Sequence, residues 1–312
     1  MEFFKKRTSI RFMSQRWWAL GLSGGLILIS IGAILVRGLN LGLDFTGGTL
    51  VEVGYPEAVE LGSVRQSLAA GGFNDATAQH FGTSRDVLVR IAPRKDMSSA
   101  DLSTKVLNAL NGTAAGKVDM RRIEFVGPQV GQHLTEQGGL AMLYALVGIL
   151  IYVALRFQYR FAIASVLALV HDVIITVGVF SVFQVEFDLP VLAAVLAVIG
   201  YSLNDTIVVF DRIRENFRKM RKGSSAEVLD VSINQTLSRT LMTSGTTLLV
   251  VAALFIFGGG IIHGFALALL IGIGVGTYSS IYVASVAVLM MGISKADLMP
   301  VAKEGAEADN LP

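Results

Sequence analysis

Two carboxylates lie inside long apolar stretches of this sequence, where a charged side chain is costly. Asp172 lies in the stretch 161–183 and Asp205 in the stretch 190–210, and no other formally charged residue occurs in the six such stretches of the chain. A charge at the centre of a membrane costs about 3 kcal/mol on insertion scales, so we expect both carboxylates to face the interior of a helix bundle. An intramembrane carboxylate is a candidate functional site by default.

Asp205 lies in a polar segment of an otherwise apolar stretch. Ser202 precedes it by three residues, which places both on one face of a helix, and Asn204 and Thr206 flank it. At 1.5 Å per residue, Asp205 lies about 22 Å from Pro190, in the inner half of the membrane.

Arg239 precedes the fifth apolar stretch, so two helices joined by a loop could bring it to the depth of Asp205. Thr243 and Thr247 follow near one helical face and could hold water or bond to neighbouring helices. One interpretation is a proton relay, in which Asp205 is alternately neutral and paired with Arg239. The alternative is a fixed polar clasp, or an arginine whose charge reaches the membrane surface.

His171 and Asp172 lie near the middle of the third stretch. An imidazole titrates near neutral pH and could hand on protons, but the two residues could equally tie this helix to its neighbours. Adjacent side chains point about 100° apart on a helix, so we expect that the two cannot act as one bidentate group.

The composition argues against several classes of protein. Of the 312 residues, 53% are hydrophobic and only 16% are charged, against about 25% in soluble domains, which argues against a soluble globular protein. A formal net charge of +2 argues against nucleic acid as a partner. The chain has no Cys, four scattered His and no Walker A motif, so we expect no metal site, no cofactor and no enzymatic chemistry.

Six stretches are long and apolar enough to cross a membrane and contact its lipid, which takes about 20 residues as a helix. They cover residues 17–36, 138–155, 161–183, 190–210, 241–257 and 265–291. Basic residues gather in the segment 1–16 and in the predicted loop 211–240, so we place both, and the tail 292–312, in the cytoplasm. The fold class is therefore a polytopic α-helical membrane protein with the segment 37–137 on the outer, periplasmic face.

The segment 37–137 has the size of one small domain. Its pattern predicts strands at 49–54, 76–81, 87–92 and 117–126 and helices at 57–70 and 99–110. This order, βαββαβ, matches the ferredoxin-like split unit of α+β domains. Before the first strand, Asp44 and the pair Gly47 and Gly48 predict either a hinge at the base of the domain or a tight turn.

Small residues recur every four positions along the sixth stretch and include Gly272 and Gly276. Such a ridge permits close contact between helices, so packing is favoured over chemistry. The ridge could serve the chain's own bundle or a partner subunit.

Several segments together resemble the SecD/SecF family of protein-export membrane proteins, and its SecF members in particular. They are Leu43 to Thr49, Val126 to Gly131, His171 to Val173, Gly200 to Asn216 and Ser238 to Ser244. The resemblance covers the chain from the first span to the sixth, in the expected order and spacing.

The resemblance implies a transporter of the resistance-nodulation-division class in the bacterial inner membrane. Such proteins pair with SecD and use the proton-motive force to promote preprotein translocation through the SecYEG translocon. By motif, Asp205 corresponds to the family's intramembrane proton-transport carboxylate and Arg239 to its functional arginine. Contact between the outer domain and emerging preprotein is implied by the resemblance alone.

Other functions stay open beside the proton-driven one. The chain could be a passive scaffold of the export complex, whose buried charges only fix the register of its helices. A small-solute transporter of the same class would normally need a larger or second outer domain. An intramembrane protease is weaker still, because no GxGD-like motif accompanies the carboxylates.

Overall fold

The apolar stretches form long helices in a computed structural model, which describes residues 8–94, 99–112, 117–220 and 222–294. In chain order the elements are α1 (Arg16–Arg37), α2 (Leu43–Thr46), β1 (Gly48–Gly54), α3 (Leu61–Ala70), β2 (Thr77–Phe81), β3 (Thr83–Ile91), α4 (Ser99–Asn111), β4 (Asp119–Val126), α5 (Pro128–Arg156), α6 (Tyr159–Phe183), α7 (Leu189–Lys219), α8 (Ser225–Phe257), α9 (Gly259–Ser279) and α10 (Ser285–Met290). A 3₁₀ turn, Phe12–Gln15, precedes α1, and a π-helical turn, Ser280–Ala284, joins α9 to α10.

Six helical segments of the described chain are long and apolar enough to cross a membrane. They are α1, α5, α6, α7, α8 and the continuous unit of α9 and α10. The predicted fold class, six membrane helices with one small α+β domain, is confirmed.

The predicted loop 211–240 is wrong in its secondary structure. Helix α7 continues to Lys219 and α8 begins at Ser225, where Ser224 and Glu227 form a reciprocal capping box. Hydropathy marks only the part of a helix that lies in the membrane, whereas these extensions are amphipathic and bury Phe217 and Leu229 against the bundle.

Helix α5 also begins earlier than predicted, at Pro128. Residues 128–137 therefore belong to this helix and not to the α+β domain between α1 and α5, which we call the outer domain after its predicted side of the membrane. Proline suits the first turn of a helix, because its missing N–H would have no partner there. Of the predicted N-terminal segment and tail, residues 1–7 and 295–312 lie outside the described residues.

The outer domain has one four-stranded sheet with the order β2-β3-β1-β4, in which all neighbours are antiparallel. This arrangement is that of the ferredoxin-like βαββαβ unit. Leu102, Val106 and Leu110 of α4 are buried in its core, as their spacing predicts. Helix α3 begins at Leu61 and β3 at Thr83, each four residues from the predicted start.

The outer domain rests on the loop between α6 and α7. Leu41, before α2, forms a β-bridge with Phe187 of that loop. Arg90 of β3 forms an ion pair with Glu186 at 3.6 Å and donates a hydrogen bond to the carbonyl of Leu41 at 2.7 Å. The start of α7 is therefore held directly by the base of the outer domain.

Candidate functional site

Asp205 lies in the interior of the bundle, where α7, α8 and α9 meet. Its side chain is only 3% exposed, and its Oδ2 accepts a hydrogen bond from Ser244 Oγ of α8 at 3.2 Å. Ser244 Oγ in turn accepts one from Thr277 Oγ1 of α9 at 2.7 Å. The carboxylate is thus joined to two neighbouring helices through hydroxyl groups.

Arg239 does not pair with Asp205 in this structure. Both residues lie in the described part of the chain, and no ion pair joins them within 4.0 Å. Arg239 is exposed on α8, because the face of α8 that turns inward carries small hydroxyl residues at every fourth position. The members of this hydroxyl stripe are Ser232, Thr236, Thr240 and Ser244. The relay between Asp205 and Arg239 stays a prediction.

The other predicted residues of α8 lie beside the hydroxyl stripe. Thr243 Oγ1 donates to the carbonyl of Arg239 at 3.0 Å, and Thr247 Oγ1 donates to that of Thr243 at 2.9 Å. Thr247 also accepts a hydrogen bond from Tyr201 of α7 at 3.3 Å. Only Thr247 among the predicted threonines therefore bonds across to α7.

The residues that flank Asp205 face three directions. Ser202 shares a face with Asp205 but donates to Asp172 Oδ2, at 2.5 Å. Thr206 is buried, whereas Asn204 is exposed on the outside of the bundle. An amide within a membrane-spanning helix favours a protein neighbour over lipid, so Asn204 marks a face suited to another helix.

His171 and Asp172 are hydrogen-bonded to each other, although adjacent positions point about 100° apart on a helix. His171 Nδ1 lies 2.8 Å from Asp172 Oδ1, because both side chains bend toward the same side of α6. His171 Nε2 lies 3.1 Å from Ser23 Oγ of α1, and Asp172 Oδ2 also accepts from Ser279 Oγ of α9 at 2.7 Å. The pair ties α6 to three helices.

Four residues of these contacts were not predicted from the sequence. They are Ser23, Ser244, Thr277 and Ser279. Hydroxyl residues are common in membrane helices, and their spacing along one helix does not indicate which carboxylate they face on another. The nearest signal in the sequence was the ridge of small residues along the last span, which predicts close contact with another helix.

Gly272 and Gly276 pack within the chain, against α7. A Cβ atom at Gly276 would lie 2.9 Å from Ser202 Cβ, and one at Gly272 would collide with the side chain of Val198. The two glycines therefore bring α9 close enough for Ser279 and Thr277 to reach the carboxylate network. The alternative in which this ridge serves a partner is not supported at these positions.

Asp44 joins the base of the outer domain to the first turn of α7. Its Oδ2 accepts a hydrogen bond from the Leu189 backbone N–H at 3.0 Å, and Asp188 Oδ1 accepts one from Val191 N–H at 2.9 Å. Burial is the largest cause that raises the pKa of Asp188, and the charges of Glu186 and Asp44 raise it further, against the hydrogen bond from Val191.

Gly47 and Gly48 adopt conformations that other residues avoid, with φ values of 69° and 126°. A Cβ at Gly48 would collide with the carbonyl oxygen of Ile91, and one at Gly131 of α5 would lie 2.7 Å from that of Phe45. The segment is a tight turn whose backbone contacts both β3 and α5.

Two family models match this chain. The model described as SecD/SecF GG Motif matches residues 32–55, and the one described as Protein export membrane protein SecD/SecF, C-terminal, matches residues 105–294. The chain belongs to the SecD/SecF family. The first match contains the turn at Gly47 and Gly48, and the second contains both intramembrane carboxylates of this SecD/SecF-family chain.

Among its relatives the chain is similar to proteins named Protein translocase subunit SecF. It is 57% identical to that of Vibrio alginolyticus over 100% of this chain and 99% of the relative. It is 52% identical to that of Pseudomonas aeruginosa, over 94% of each chain, and 46% identical to that of Escherichia coli O157:H7, over 96% of this chain and 94% of the relative.

The fold is similar to the crystal structure of SecDF, a translocon-associated membrane protein from Thermus. The TM-score is 0.83 at 39% sequence identity, over 93% of this chain. The chain spans only 39% of the length of that SecDF chain. A second SecDF structure, in a form called super-membrane-facing, gives a TM-score of 0.69 over the same share of each chain.

Proposed function

We propose that this chain is a proton-driven subunit of the bacterial protein-export machinery. It works with a SecD-like partner in the inner membrane and uses the proton-motive force to promote preprotein translocation through a SecYEG channel. The observation that carries this proposal is that one helix, α7, holds the buried Asp205 and is hydrogen-bonded at its first turn to the base of the outer domain.

Protonation of Asp205 removes its negative charge and so changes which partners its side chain needs. In its protonated form the carboxyl group needs only neutral partners such as Ser244 Oγ. In its ionised form, in a medium of low dielectric constant, it also requires a positive charge nearby. Arg239 on α8 is about 1.4 helical turns from Ser244 and supplies that charge when α8 turns or slides toward α7.

Thr240 follows Arg239 in the sequence but lies on the inward face of α8. Its Oγ1 is buried and makes no hydrogen bond within the described part of the chain. A buried hydroxyl without a partner costs about 1–3 kcal/mol, so this site favours a bound water or an approaching polar group. It provides a step for protons between the cytoplasmic end of α8 and Asp205.

Helix α7 transmits this change to the outer domain. It runs without interruption from Leu189 to Lys219, and its first turn is hydrogen-bonded to Asp44 of α2, which directly precedes the sheet. A shift of α7 therefore moves the base of the outer domain, which we place in the periplasm over residues 37–127. Such movement is the means by which the outer domain acts on a preprotein that emerges there.

Two polar residues on the outside of the bundle support a membrane partner. Asn204 and Arg239 are exposed in this single chain, although each lies within a membrane-spanning helix. Exposure of such side chains to lipid is costly, and a partner helix that offers polar groups removes this cost. The Thermus SecDF chain is longer than this chain, which spans 39% of it, and its name supports a SecD-like partner.

The decisive experiment is Asp205→Asn in the chain reconstituted with its SecD-like partner. The near-isosteric amide keeps a bond to Ser244 but cannot take up a proton, so we expect loss of export stimulation by an imposed proton gradient. The matched control is Ser165→Ala, which removes a buried hydroxyl of α6 that donates to the carbonyl of Phe161 in the same helix. Full stimulation by Asp205→Asn would favour the passive scaffold.

Orientation is tested separately with reporter fusions. A reporter at Ser99 in the outer domain is expected to behave as periplasmic, and one at Ser224, between α7 and α8, as cytoplasmic. The reverse result at both sites would overturn the proposed topology.

A further inference from the structure

Asp172 is the most completely buried carboxylate of the membrane bundle, with 0% exposure, and the relay described above does not use it. Its Oδ1 contacts His171 Nδ1, and its Oδ2 accepts hydrogen bonds from Ser202 and Ser279. Beyond His171 the contacts continue through Ser23 Oγ to the hydroxyl of Tyr278, 3.1 Å away. The carboxylate is thus one end of a hydrogen-bonded chain that crosses from α6 to α1 and α9.

The charge of this network depends on a single proton. Within the described residues, His171 is the one basic side chain that pairs with Asp172. With one transferable proton the pair is neutral overall, either as imidazolium with carboxylate or as imidazole with carboxylic acid. Without that proton it carries one negative charge in the interior of the bundle, which must then be compensated.

We propose that His171 and Asp172 form a second proton-holding site, which takes up and releases one proton in each transport cycle. This proposal rests on the proposed proton-driven function and deepens it. The proton enters or leaves at His171 Nε2, where Ser23 Oγ contacts the ring. Transfer of the Nδ1 proton to Asp172 Oδ1 converts imidazolium and carboxylate into imidazole and carboxylic acid, with no other reactant.

The proton state of Asp172 acts on two helices through its second oxygen. Hydrogen bonds from Ser202 of α7 and Ser279 of α9 are charge-assisted when Asp172 is ionised and weaken when it is neutral. Ser202 lies three residues before Asp205, so the two carboxylates act on the same segment of α7.

Ser279 is the last residue before the π-helical turn Ser280–Ala284. Single π turns within α-helices are frequent at functional sites, and a change of one hydrogen bond there shifts the rest of the helix. The bond from Ser279 to Asp172 therefore holds α9 at the one place in the helix where its register changes.

Few other titratable groups face this site. Tyr278 of α9 stacks beside the His171 ring, with centroids 6.3 Å apart, and Tyr282 follows in the π turn. Asp205 is the acidic group on the neighbouring part of α7. Helix α1 contributes Ser23, and its charged residues, Arg16 and Arg37, lie at its two ends.

The test compares Asp172→Asn and Asp205→Asn in the full chain, reconstituted with its SecD-like partner in phospholipid vesicles. Infrared difference spectra between acid and alkaline buffer report buried carboxylic acids by their C=O bands. We expect each variant to lose a different band and both to lose stimulation by the proton gradient. Asn at position 172 can still accept the bonds from Ser202 and Ser279, so a purely structural clasp would survive the change. The control is again Ser165→Ala.

The outcomes separate this inference from the proposed function. Loss of stimulation in Asp205→Asn, with a full response and an unchanged spectrum in Asp172→Asn, overturns the second site and leaves the relay at Asp205 intact. Full stimulation in Asp205→Asn overturns the proposed function itself. If Asp172→Asn does not insert, the spectrum of Asp205→Asn decides. If Asp205→Asn still shows a C=O band that titrates, and this band shifts in the double variant Asp205→Asn with His171→Gln, the second site is supported. If Asp205→Asn shows no such band, the second site is refuted.

Discussion

The carboxylate of Asp44 accepts a hydrogen bond from the backbone N–H of Leu189 at 3.0 Å, across 145 positions of the sequence. Asp44 belongs to the short helix at the base of the outer domain, and Leu189 is the first residue of the helix that carries Asp205. Negative charge and an oxygen acceptor both suit the first turn of a helix, where N–H groups lack partners. One side chain thus caps the functional helix and attaches it to the outer domain.

Asp44→Ala is expected to separate helix capping from this attachment. The loss of one helix cap should lower the free energy of unfolding by about 1 kcal/mol. The loss of the attachment should also reduce proton-dependent export, and by more than the loss of a cap alone does. The matched control is Asp188→Ala, which removes the bond to Val191 on the same turn but leaves Asp44 bonded to Leu189. Thermal unfolding and export assays on both variants measure the difference. Equal losses of export in the two would show that only capping matters.

Gly272→Leu is expected to loosen the bundle and not the contact with a partner. The added side chain would collide with Val198 of α7, and overpacking of this kind costs about 1–3 kcal/mol. Gly274→Leu is the matched control, because a Cβ at Gly274 meets nothing within 4 Å. The melting temperature in mild detergent should fall for Gly272→Leu but not for Gly274→Leu. Loss of partner co-purification with unchanged melting would place the ridge in the interface instead.

The sequence predicts the parts of this protein that depend on periodicity and on the cost of burial. Hydropathy locates the six spans, alternation locates the sheet, and the cost of a charge in a membrane places Asp205 inside the bundle. Each of these signals belongs to one segment by itself, so no knowledge of its neighbours is needed.

The partners of the intramembrane residues could not be predicted in the same way. Ser202 lies on the same helical face as Asp205 yet bonds to Asp172, and Ser244, not Arg239, contacts Asp205. These choices depend on how far each helix is rotated and displaced against the next, which close packing of small residues decides. The bond between His171 and Asp172 could not be predicted from the angle between adjacent helical positions, because side-chain rotation overcomes the separation of their backbone positions.

Gly48→Ala is expected to destabilise the junction between the outer domain and the bundle. Position 48 has a positive φ, which strains other residues, and the added Cβ would collide with the Ile91 carbonyl. Gly72→Ala is the matched control, since φ is 85° there but the space around it is open. Limited proteolysis of the outer domain should be faster for Gly48→Ala than for the control. Equal rates would show that backbone strain alone is responsible.

The pH dependence of stability is expected to report on Asp188. Burial raises the pKa of this carboxyl group above its ordinary value of 3.8, so between that value and the raised one the folded chain binds more protons than the unfolded chain. Stability from this group is therefore greatest in acid and falls as pH rises through that window. Asp188→Asn keeps an effective cap for α7 but removes the titration, so the melting temperature of this variant should vary less with pH there. Asp188→Ala should show the same flattened profile at lower stability throughout, by about 1 kcal/mol. If Asp188→Asn keeps the wild-type slope, the pH dependence arises from another group.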